Sequence, residues 1–280
     1  MTTFKFIASA AFAAALAPVS FAQSESPTED RMPKPTSAPA RSDAPFIRPS
    51  FTAGVDFSSG DFGAAATTET LSTPFSARAD VGDFRFSIGA SWLQITGPGG
   101  VVGDGVIVDA DAVGEIEQNS GFGDLTLGVN YNVPSELTGK WIVQLQGRLK
   151  IPTADEDQGL GTGEVDGGGA IDVAYDFGKF TPFTTVGFRF RGDPEGADLN
   201  NTFNVSVGAS YALGRGYAVL ASYDFREATT DTADESQEVF GAITGPITDE
   251  VRWTLYGSAG FTDGAPDGGV GFQLTYRPSF

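Results

Sequence analysis

The sequence contains neither cysteine nor histidine in its 280 residues. Without cysteine, the chain has no disulfide, no thiol nucleophile and no thiolate ligand for a metal. Without histidine, it also lacks the commonest general base and the commonest transition-metal ligand. We therefore expect no enzymatic activity, no catalytic residue, no metal site and no cofactor.

Positive charge is also scarce. Lysine and arginine together number 17 against 36 acidic residues, and the formal net charge is -19. A surface this acidic repels the phosphates of a nucleic acid, whose binding depends on basic side chains. Nucleic acid is therefore not an expected partner.

Long apolar runs are confined to the N-terminus, where one extends from Phe6 to about Ala17 after the cation Lys5. The small residues Ser20 and Ala22 stand at the −3 and −1 positions of a cleavage site, as in a secretory signal peptide. The run is too short to cross the ~30 Å of hydrocarbon in a bilayer. We predict export with cleavage after Ala22; the alternative is a buried N-terminal helix.

The chain is thus predicted to have three parts. Residues 1–22 form the signal peptide. Residues 23–45 are rich in proline, serine and charge, as in a disordered leader. Residues 46–280 form the folded domain, in which any membrane-spanning element must be a strand, because no later stretch has the ~18 apolar residues of a spanning helix.

From Phe46 onward, segments of about ten residues alternate between apolar and polar positions, which indicates strands with one apolar face. Between them stand glycine, aspartate, proline and asparagine. About twelve strands are predicted: 48–58, 70–80, 83–95, 122–133, 139–151, 167–177, 180–192, 201–212, 216–226, 237–247, 250–262 and 268–280.

The connections between these strands alternate between short and long. "DVGD", "GK", "LGRG" and "TD" are short, whereas the connection of residues 96–121 is far longer than any of them. This rhythm is typical of a transmembrane, antiparallel, up-and-down barrel with an even number of strands, short periplasmic turns and long acidic outer loops. A soluble periplasmic β-sandwich is the alternative.

Three features favour the membrane barrel. A signal peptide precedes it. Aromatic residues such as Trp92, Trp141 and Tyr211 cluster at strand ends, as in an interfacial belt. The last strand places Phe272, Leu274, Tyr276 and Phe280 on one face, which resembles the assembly signal of outer-membrane barrels and predicts the assembly machinery as a partner.

In a membrane barrel the polar face of each strand lines the lumen. The charged positions on that face are predicted pore-lining residues: Arg78, Arg85, Arg148, Lys150, Asp172, Arg189, Arg191, Asp224, Arg226 and Arg252. Asp56, Asp80 and Arg277 are also predicted there. The arginines predict a pore that favours anionic or polar solutes; alternatively, they pair with the aspartates and fill the barrel.

Twelve strands enclose a narrower lumen than a wide porin has. The long connection of residues 96–121 is therefore a candidate for an inward-folded constriction. Its alternating segment "GVIVDADAVGEIE" predicts a protruding hairpin as the alternative.

Four segments together resemble a known family: "FSIGASWLQITGPGG", "SGFGDLTLGVNYNV", "LKIPTADEDQGLGTGEVD" and "TPFTTVGFRFRGDPEGADL". They are similar to the outer-membrane transporters named for the MetA pathway of phenol degradation, over roughly residues 50 to 280. Gly121, Gly123 and Asp124 match its recurring segments, as do Lys150, Pro152 and Thr153. The resemblance implies a barrel that moves small molecules, with aromatic compounds suggested by the name.

Together these observations predict a channel in the cell outer membrane for passive uptake of small molecules, either aromatic or anionic. Its expected partners are outer-membrane lipid, lipopolysaccharide, the assembly machinery and the solute. A non-conducting barrel that stabilises the envelope is the alternative function.

Overall fold

The computed structural model describes residues 47–103, 105–109 and 114–279. Alternation of apolar and polar residues produces strands over most of this length. The elements, in chain order, are β1 (Ile47–Gly60), β2 (Thr68–Val81), β3 (Phe84–Gly97), β4 (Val101–Val102), β5 (Val106–Ile107), β6 (Glu117–Phe122), β7 (Leu125–Asn132), α1 (Ser135–Thr138), β8 (Trp141–Ile151), β9 (Asp166–Tyr175), β10 (Phe180–Phe190), β11 (Thr202–Gly214), β12 (Tyr217–Arg226), β13 (Ser236–Pro246), β14 (Val251–Gly260) and β15 (Gly268–Tyr276).

The strands close into a barrel of twelve antiparallel strands, with β6 and β7 counted as one. Neighbours in sequence pair with one another, and β1 pairs with both β2 and β15, which closes the ring. β6 and β7 both pair with β3, and together they take the place of one strand in the barrel. The predicted twelve-stranded up-and-down barrel is confirmed, and closure leaves no open sheet edge around the ring.

Short and long connections alternate as predicted. One end of the barrel, the short-turn end, carries tight connections such as residues 82–83 and 215–216. The other end, the long-loop end, carries the connections 61–67, 98–116, 152–165, 191–201, 227–235 and 261–267. Among the described residues, no helix is long and apolar enough to cross a membrane.

The two faces of the wall have opposite character. Large apolar side chains point outward and remain exposed, for example Phe86, Leu145 and Phe272, while polar side chains point inward and are buried. At the short-turn end, outward aromatic rings pair across the ladders, including Trp141 with Tyr175 at a centroid distance of 4.9 Å. An apolar exterior with an aromatic belt is the exterior of a membrane barrel.

Two details differ from the sequence prediction. The predicted fourth strand, 122–133, is interrupted at residues 123–124 and extends back to Glu117, because Asp124 turns inward to bind a loop. Arg277 follows the end of β15 and is exposed rather than lining the lumen, while its backbone N–H donates to the carbonyl of Glu250. The predicted signal peptide, the leader and Phe280 lie outside the described residues.

The long connection forms a small hairpin at the long-loop end. β4 and β5 pair at Val101 with Ile107 and at Val102 with Val106. Val106 and Ile107 are fully buried. The described part of the hairpin is therefore packed into the structure rather than protruding; its strand β5 belongs to the alternating segment, whereas β4 precedes that segment.

Candidate functional site

The candidate site is the barrel interior. Of the predicted pore-lining residues, eight are buried on the inward face and two are half-buried. The buried ones are Arg78, Arg85, Lys150, Asp172, Arg189, Arg191, Asp224 and Arg226; the half-buried ones are Arg148 and Arg252. Successive side chains of a strand point to opposite faces of the sheet. The charged side chains on the polar face of each strand therefore point into the barrel.

Two arginines flank a glycine near the long-loop end. Arg148 of β8 is paired with Gly168 of β9, and Gly168 is also paired with Arg189 of β10. The three residues form one row across three strands, with no side chain at its centre. A small cavity occupies this place and is lined by both arginines, Lys150, Asp166 and Gly168.

Lys150 belongs to a buried ionic network beside that row. Its Nζ lies 3.0 Å from an Asp166 carboxylate oxygen and 3.4 Å from an Asp124 carboxylate oxygen. It also donates to Thr162 Oγ1 at 2.7 Å. A buried ammonium with three oxygen partners is well compensated, and since Thr162 belongs to the 152–165 loop, the network anchors this loop to the wall.

Asp124 extends this network by holding the start of the same loop. Its Oδ1 accepts the backbone N–H groups of Thr153 and Ala154, each at 3.0 Å. The segments that carry the family resemblance, around Asp124 and around Lys150, thus meet in space. Sequence reasoning matched both segments to the family but did not pair them, because local patterns do not show which segments meet in space.

A second polar row lies closer to the short-turn end. One row of inward-facing residues separates it from the row of Arg148 and Arg189. Asp172 accepts hydrogen bonds from the hydroxyl of Thr185 and from the side-chain amide of Gln146. Thr185 is paired with Asp172 in the ladder and is likewise buried. The carboxylate is therefore held by neutral donors on its two neighbouring strands.

The remaining predicted residues are dispersed and make separate contacts. Arg85 forms an ion pair with Asp80, with Nε 2.6 Å from Oδ1. Arg252 donates to the carbonyl of Gly216 at 2.7 Å and so ties one short turn to β14. Some predicted residues thus support the fold, as the filled-barrel alternative expects, while Arg148, Lys150 and Arg189 converge on the cavity.

Sequence reasoning missed an apolar cluster on the inward face. It comprises Ala174, Phe183, Leu220, Phe240, Ala242 and Tyr256, with Ile142 packed against it. The rings of Phe240 and Tyr256 lie 5.9 Å apart. The phase of the alternation could have revealed it, since Phe183 is an even number of residues from Arg189 and so shares its face.

The long-loop end is covered by loops that bind one another. Phe62, Val101 and Ile107 form a buried cluster with Ala233 packed against it. The hairpin also receives a hydrogen bond from Thr229 Oγ1 to the carbonyl of Ile107, at 2.8 Å. Three different connections, 61–67, 98–116 and 227–235, therefore meet over the mouth of the barrel.

The hairpin is joined to the 152–165 loop by a close backbone approach. The N–H of Gly103 donates to the carbonyl of Gly159 at 3.0 Å. A Cβ at Gly103 would lie 2.7 Å from the carbonyl oxygen of Leu160, and the φ of Gly103 is +41°. Leu160 in turn packs inside the barrel against Leu93 and Ile95. The interior is thus narrowed at this end by an interlocked pair of loops.

At the short-turn end, the last described residues bind the turn between β13 and β14. The hydroxyl and the backbone N–H of Ser279 both donate to the carboxylate of Glu250. These hydrogen bonds favour the ionised carboxylate and lower the pKa of Glu250 below its usual range. The chain after β15 is thus held at the barrel rim.

The barrel is similar to two solved porins. It superposes on the NanC porin with a TM-score of 0.55 at 8% identity, covering 81% of this chain and 100% of that chain. It superposes on the KdgM porin with a TM-score of 0.50 at 9% identity, covering 82% and 99% of the two chains. At this identity the likeness shows the fold alone.

Comparison of the sequence with family models shows the family of this chain. None of the curated proteins matches this chain. A family model described as "Putative MetA-pathway of phenol degradation" matches residues 48–277, which is most of the barrel with its loops. That span includes the segments around Asp124, Lys150 and Arg189 on which the resemblance rests. The chain therefore belongs to this family of the MetA pathway of phenol degradation.

Proposed function

We propose that this protein is an outer-membrane channel through which small molecules diffuse passively. The observation that carries the proposal is the closed barrel with an apolar exterior and a polar, arginine-bearing interior. A lumen lined by charged and hydroxyl side chains gives a polar solute a path that the bilayer does not. Arg148, Arg189 and the other inward arginines favour anionic solutes through their local potential.

The solutes are small, because the interior is narrowed at two levels. The β4–β5 hairpin and the 152–165 loop cover the long-loop end, and the apolar cluster around Phe183 and Phe240 occupies the lumen farther down. An apolar constriction resists the passage of hydrated ions and lets an apolar group through more readily. This combination supports solutes that carry an apolar body, including aromatic compounds.

A non-conducting barrel that stabilises the envelope is the second candidate. Arg85 bound to Asp80 and Lys150 bound to Asp124 and Asp166 show that part of the interior charge is internally neutralised. The interlocked loops also favour a non-conducting barrel, because they cover one mouth of the barrel. In this case the arginines serve packing, and no solute crosses.

The envelope interactions follow from the same proposal. Residues 1–22 direct export and are removed after Ala22. The outward residues Phe272, Leu274 and Tyr276 alternate along β15 and, together with Phe280, present an assembly signal to the outer-membrane assembly machinery. Lipid covers the apolar exterior, and lipopolysaccharide meets the acidic loops.

The test is osmotic swelling of liposomes that contain the purified protein. With arabinose, a neutral solute that crosses lipid slowly, the channel predicts swelling faster than that of protein-free liposomes. Heat-denatured protein is the control for leakage. Swelling equal to that of protein-free liposomes would overturn the channel and leave the structural barrel.

A further inference from the structure

We propose that Asp56 is a proton-binding site in the barrel interior, where its carboxyl group is neutral at neutral pH and its ionisation at alkaline pH acts as a switch. Proton binding itself goes beyond the proposed function and is independent of conduction. Only the effect of the switch on solutes rests on the proposed channel.

The ladder register surrounds Asp56 with neutral polar groups. Asp56 of β1 is paired with Ser72 of β2 on one side and with Gly271 of β15 on the other, and Gly271 is in turn paired with Tyr256 of β14. Asp56, Ser72 and Tyr256 are all buried. A Cβ at Gly271 would collide with Asp56 Oδ1 and with the ring of Tyr256, so the glycine allows these two side chains to meet.

One oxygen of the Asp56 carboxyl group has a donor and the other has none. The hydroxyl of Tyr256 donates to Asp56 Oδ1 and accepts from Gln273 Nε2 at 2.9 Å. Asp56 Oδ2 is buried and has no hydrogen-bond partner among the described residues. Ser72 Oγ and Gln273 Oε1, on the two strands beside β1, are likewise buried without a partner in the described part of the chain. A proton on Oδ2 makes this oxygen a donor, with buried acceptors on both neighbouring strands.

Asp172 is the contrasting buried carboxylate. Its Oδ1 accepts from the hydroxyl of Thr185, and its Oδ2 accepts from the side-chain amide of Gln146. Both of its oxygens therefore have donors from the protein. Asp56 lacks the second donor, and a proton on Oδ2 removes the need for one.

The row of Asp56 continues into apolar side chains at both ends. Ser72 is paired with Leu93 of β3, and Tyr256 is paired with Ala242 of β13. Leu93 and Ala242 are buried members of two separate apolar clusters. Burial beside apolar groups disfavours the charged form of a carboxyl group that has no cation next to it.

The charged side chains of the surrounding strands lie away from this row. Asp56 forms no ion pair within the described part of the chain. Asp61 and Asp267, in the loops that follow β1 and precede β15, are exposed. On the inward faces of β1, β2, β3, β13 and β14, the charged residues lie at least four positions from the row, which is about 13 Å along a strand; they are Arg48, Arg78, Asp80, Arg85, Glu238 and Arg252. An ionised Asp56 would therefore have no adjacent cation on these strands.

The proton determines the charge of the lumen wall at this level. With the proton bound, the row from Leu93 to Ala242 is neutral; without it, the wall gains one negative charge. In the proposed channel, that charge repels anionic solutes through its local potential. Anion passage should therefore decrease at alkaline pH.

Unfolding in urea, measured in lipid vesicles between about pH 5 and 9, tests proton binding. An aspartate in an unfolded chain ionises near pH ~3.9, so the unfolded state releases the proton that the folded state holds. The equilibrium constant of folding should then fall by up to about tenfold per pH unit until Asp56 ionises. Asp56→Asn has the shape of the neutral acid and should lack this decrease. Equal pH dependence in Asp56→Asn and the unaltered protein would overturn the proposal.

Asp83→Asn is the matched control, because it removes an exposed carboxylate from the turn between β2 and β3 and should keep the decrease. Infrared spectroscopy of the folded protein detects the proton directly. The C=O stretching band of a protonated carboxyl group should be present at neutral pH, absent from Asp56→Asn, and lost at alkaline pH. A difference spectrum without this band would overturn the proposal. Stability that depends on Na⁺ or K⁺ rather than on pH would also overturn it, since the oxygens would then hold a metal ion.

Liposome swelling separates the switch from the channel. If arabinose enters, swelling with the anion gluconate should slow at alkaline pH in the unaltered protein and stay constant in Asp56→Asn. A change that is equal in both proteins would refute the switch. Absence of arabinose entry would refute the channel, while the unfolding and infrared results would still decide the proton site.

Discussion

The two ends of this barrel are built on different principles. At the short-turn end, contacts join neighbouring turns: the carbonyl of Lys179 accepts from the N–H of Ala212, and Arg252 binds the neighbouring turn at Gly216. At the long-loop end, contacts join remote parts of the chain, such as Thr229 and Ile107, which are 122 residues apart. The turns connect neighbouring strands, whereas the loops pack over the mouth and narrow the interior.

The two ends also differ in the side chains that face the lumen. Near the long-loop end, the interior carries Arg148, Lys150 and Arg189 beside a cavity. Toward the short-turn end, the inward face of β9 to β14 carries the apolar cluster that contains Phe183 and Phe240. From the long-loop end inward, the charged residues therefore come before the apolar surface.

The largest effect is expected at Lys150. Lys150→Met leaves the carboxylates of Asp124 and Asp166 buried without their cation, which costs about 3–5 kcal/mol when one partner of a buried pair is removed. The loss should be confined to the long-loop end. Hydrogen exchange of residues 152–165 measures it, and Lys140→Met in an exposed short turn is the matched control. Unchanged protection of the loop would contradict the anchoring role of Lys150.

A comparable loss is expected in the apolar cluster. Phe240→Ala removes a ring packed near Tyr256 and leaves a cavity, at a cost of about 3 kcal/mol for a buried phenylalanine. The free energy of unfolding in urea, measured in lipid vesicles, reports it. Phe261→Ala, which removes an exposed ring, should change little. If both variants unfold alike, the cluster does not contribute packing to the interior.

A smaller effect is expected where the hairpin meets the 152–165 loop. Gly103→Ala places a methyl group against the carbonyl oxygen of Leu160 and strains a backbone with positive φ, which costs about 1–3 kcal/mol. The hairpin should loosen while the barrel stays closed. Faster exchange at residues 101–107 with unchanged strand protection is the expected result. Gly99→Ala, also at positive φ but in open space, separates backbone strain from the clash.

The smallest effect is expected at the short-turn end and depends on pH. The pKa of Glu250 is lowered by Ser279, so its contribution is present above the usual carboxyl pKa of 4.5 and is lost as the pH falls through the lowered value. Glu250→Gln should remove this acid dependence from the ordering of residues 277–279. Exchange rates of that segment between about pH 5 and 3 measure it. Asp249→Asn in the same turn is the control, and an acid dependence that persists in Glu250→Gln would contradict the link.

The sequence predicted the strands well because period-two alternation is a local property. Trp141, Leu145 and Leu149 face outward as that alternation requires, and the alternation of short and long connections predicted closure. The site was only partly predictable. Alternation placed Arg148 and Arg189 on the polar face, but only the register shows that they share a row with Gly168.

The loop network could not be predicted from local patterns. Asp124, Asp166 and Lys150 lie in different segments, and their pairing depends on how the 152–165 loop folds back. The apolar cluster was missed for another reason: Phe183 and Leu220 break the rule that inward residues are polar. That rule describes a water-filled lumen, whereas this interior is partly packed.

In the proposed function, the lumen conducts and the loops at one end restrict it. Single-channel currents in a planar bilayer test it most directly, with the unaltered protein compared to a variant in which a short glycine-serine linker replaces residues 98–116. The account predicts small discrete current steps for the unaltered protein and larger steps for the variant. No current steps from either protein, with both correctly folded, would contradict it.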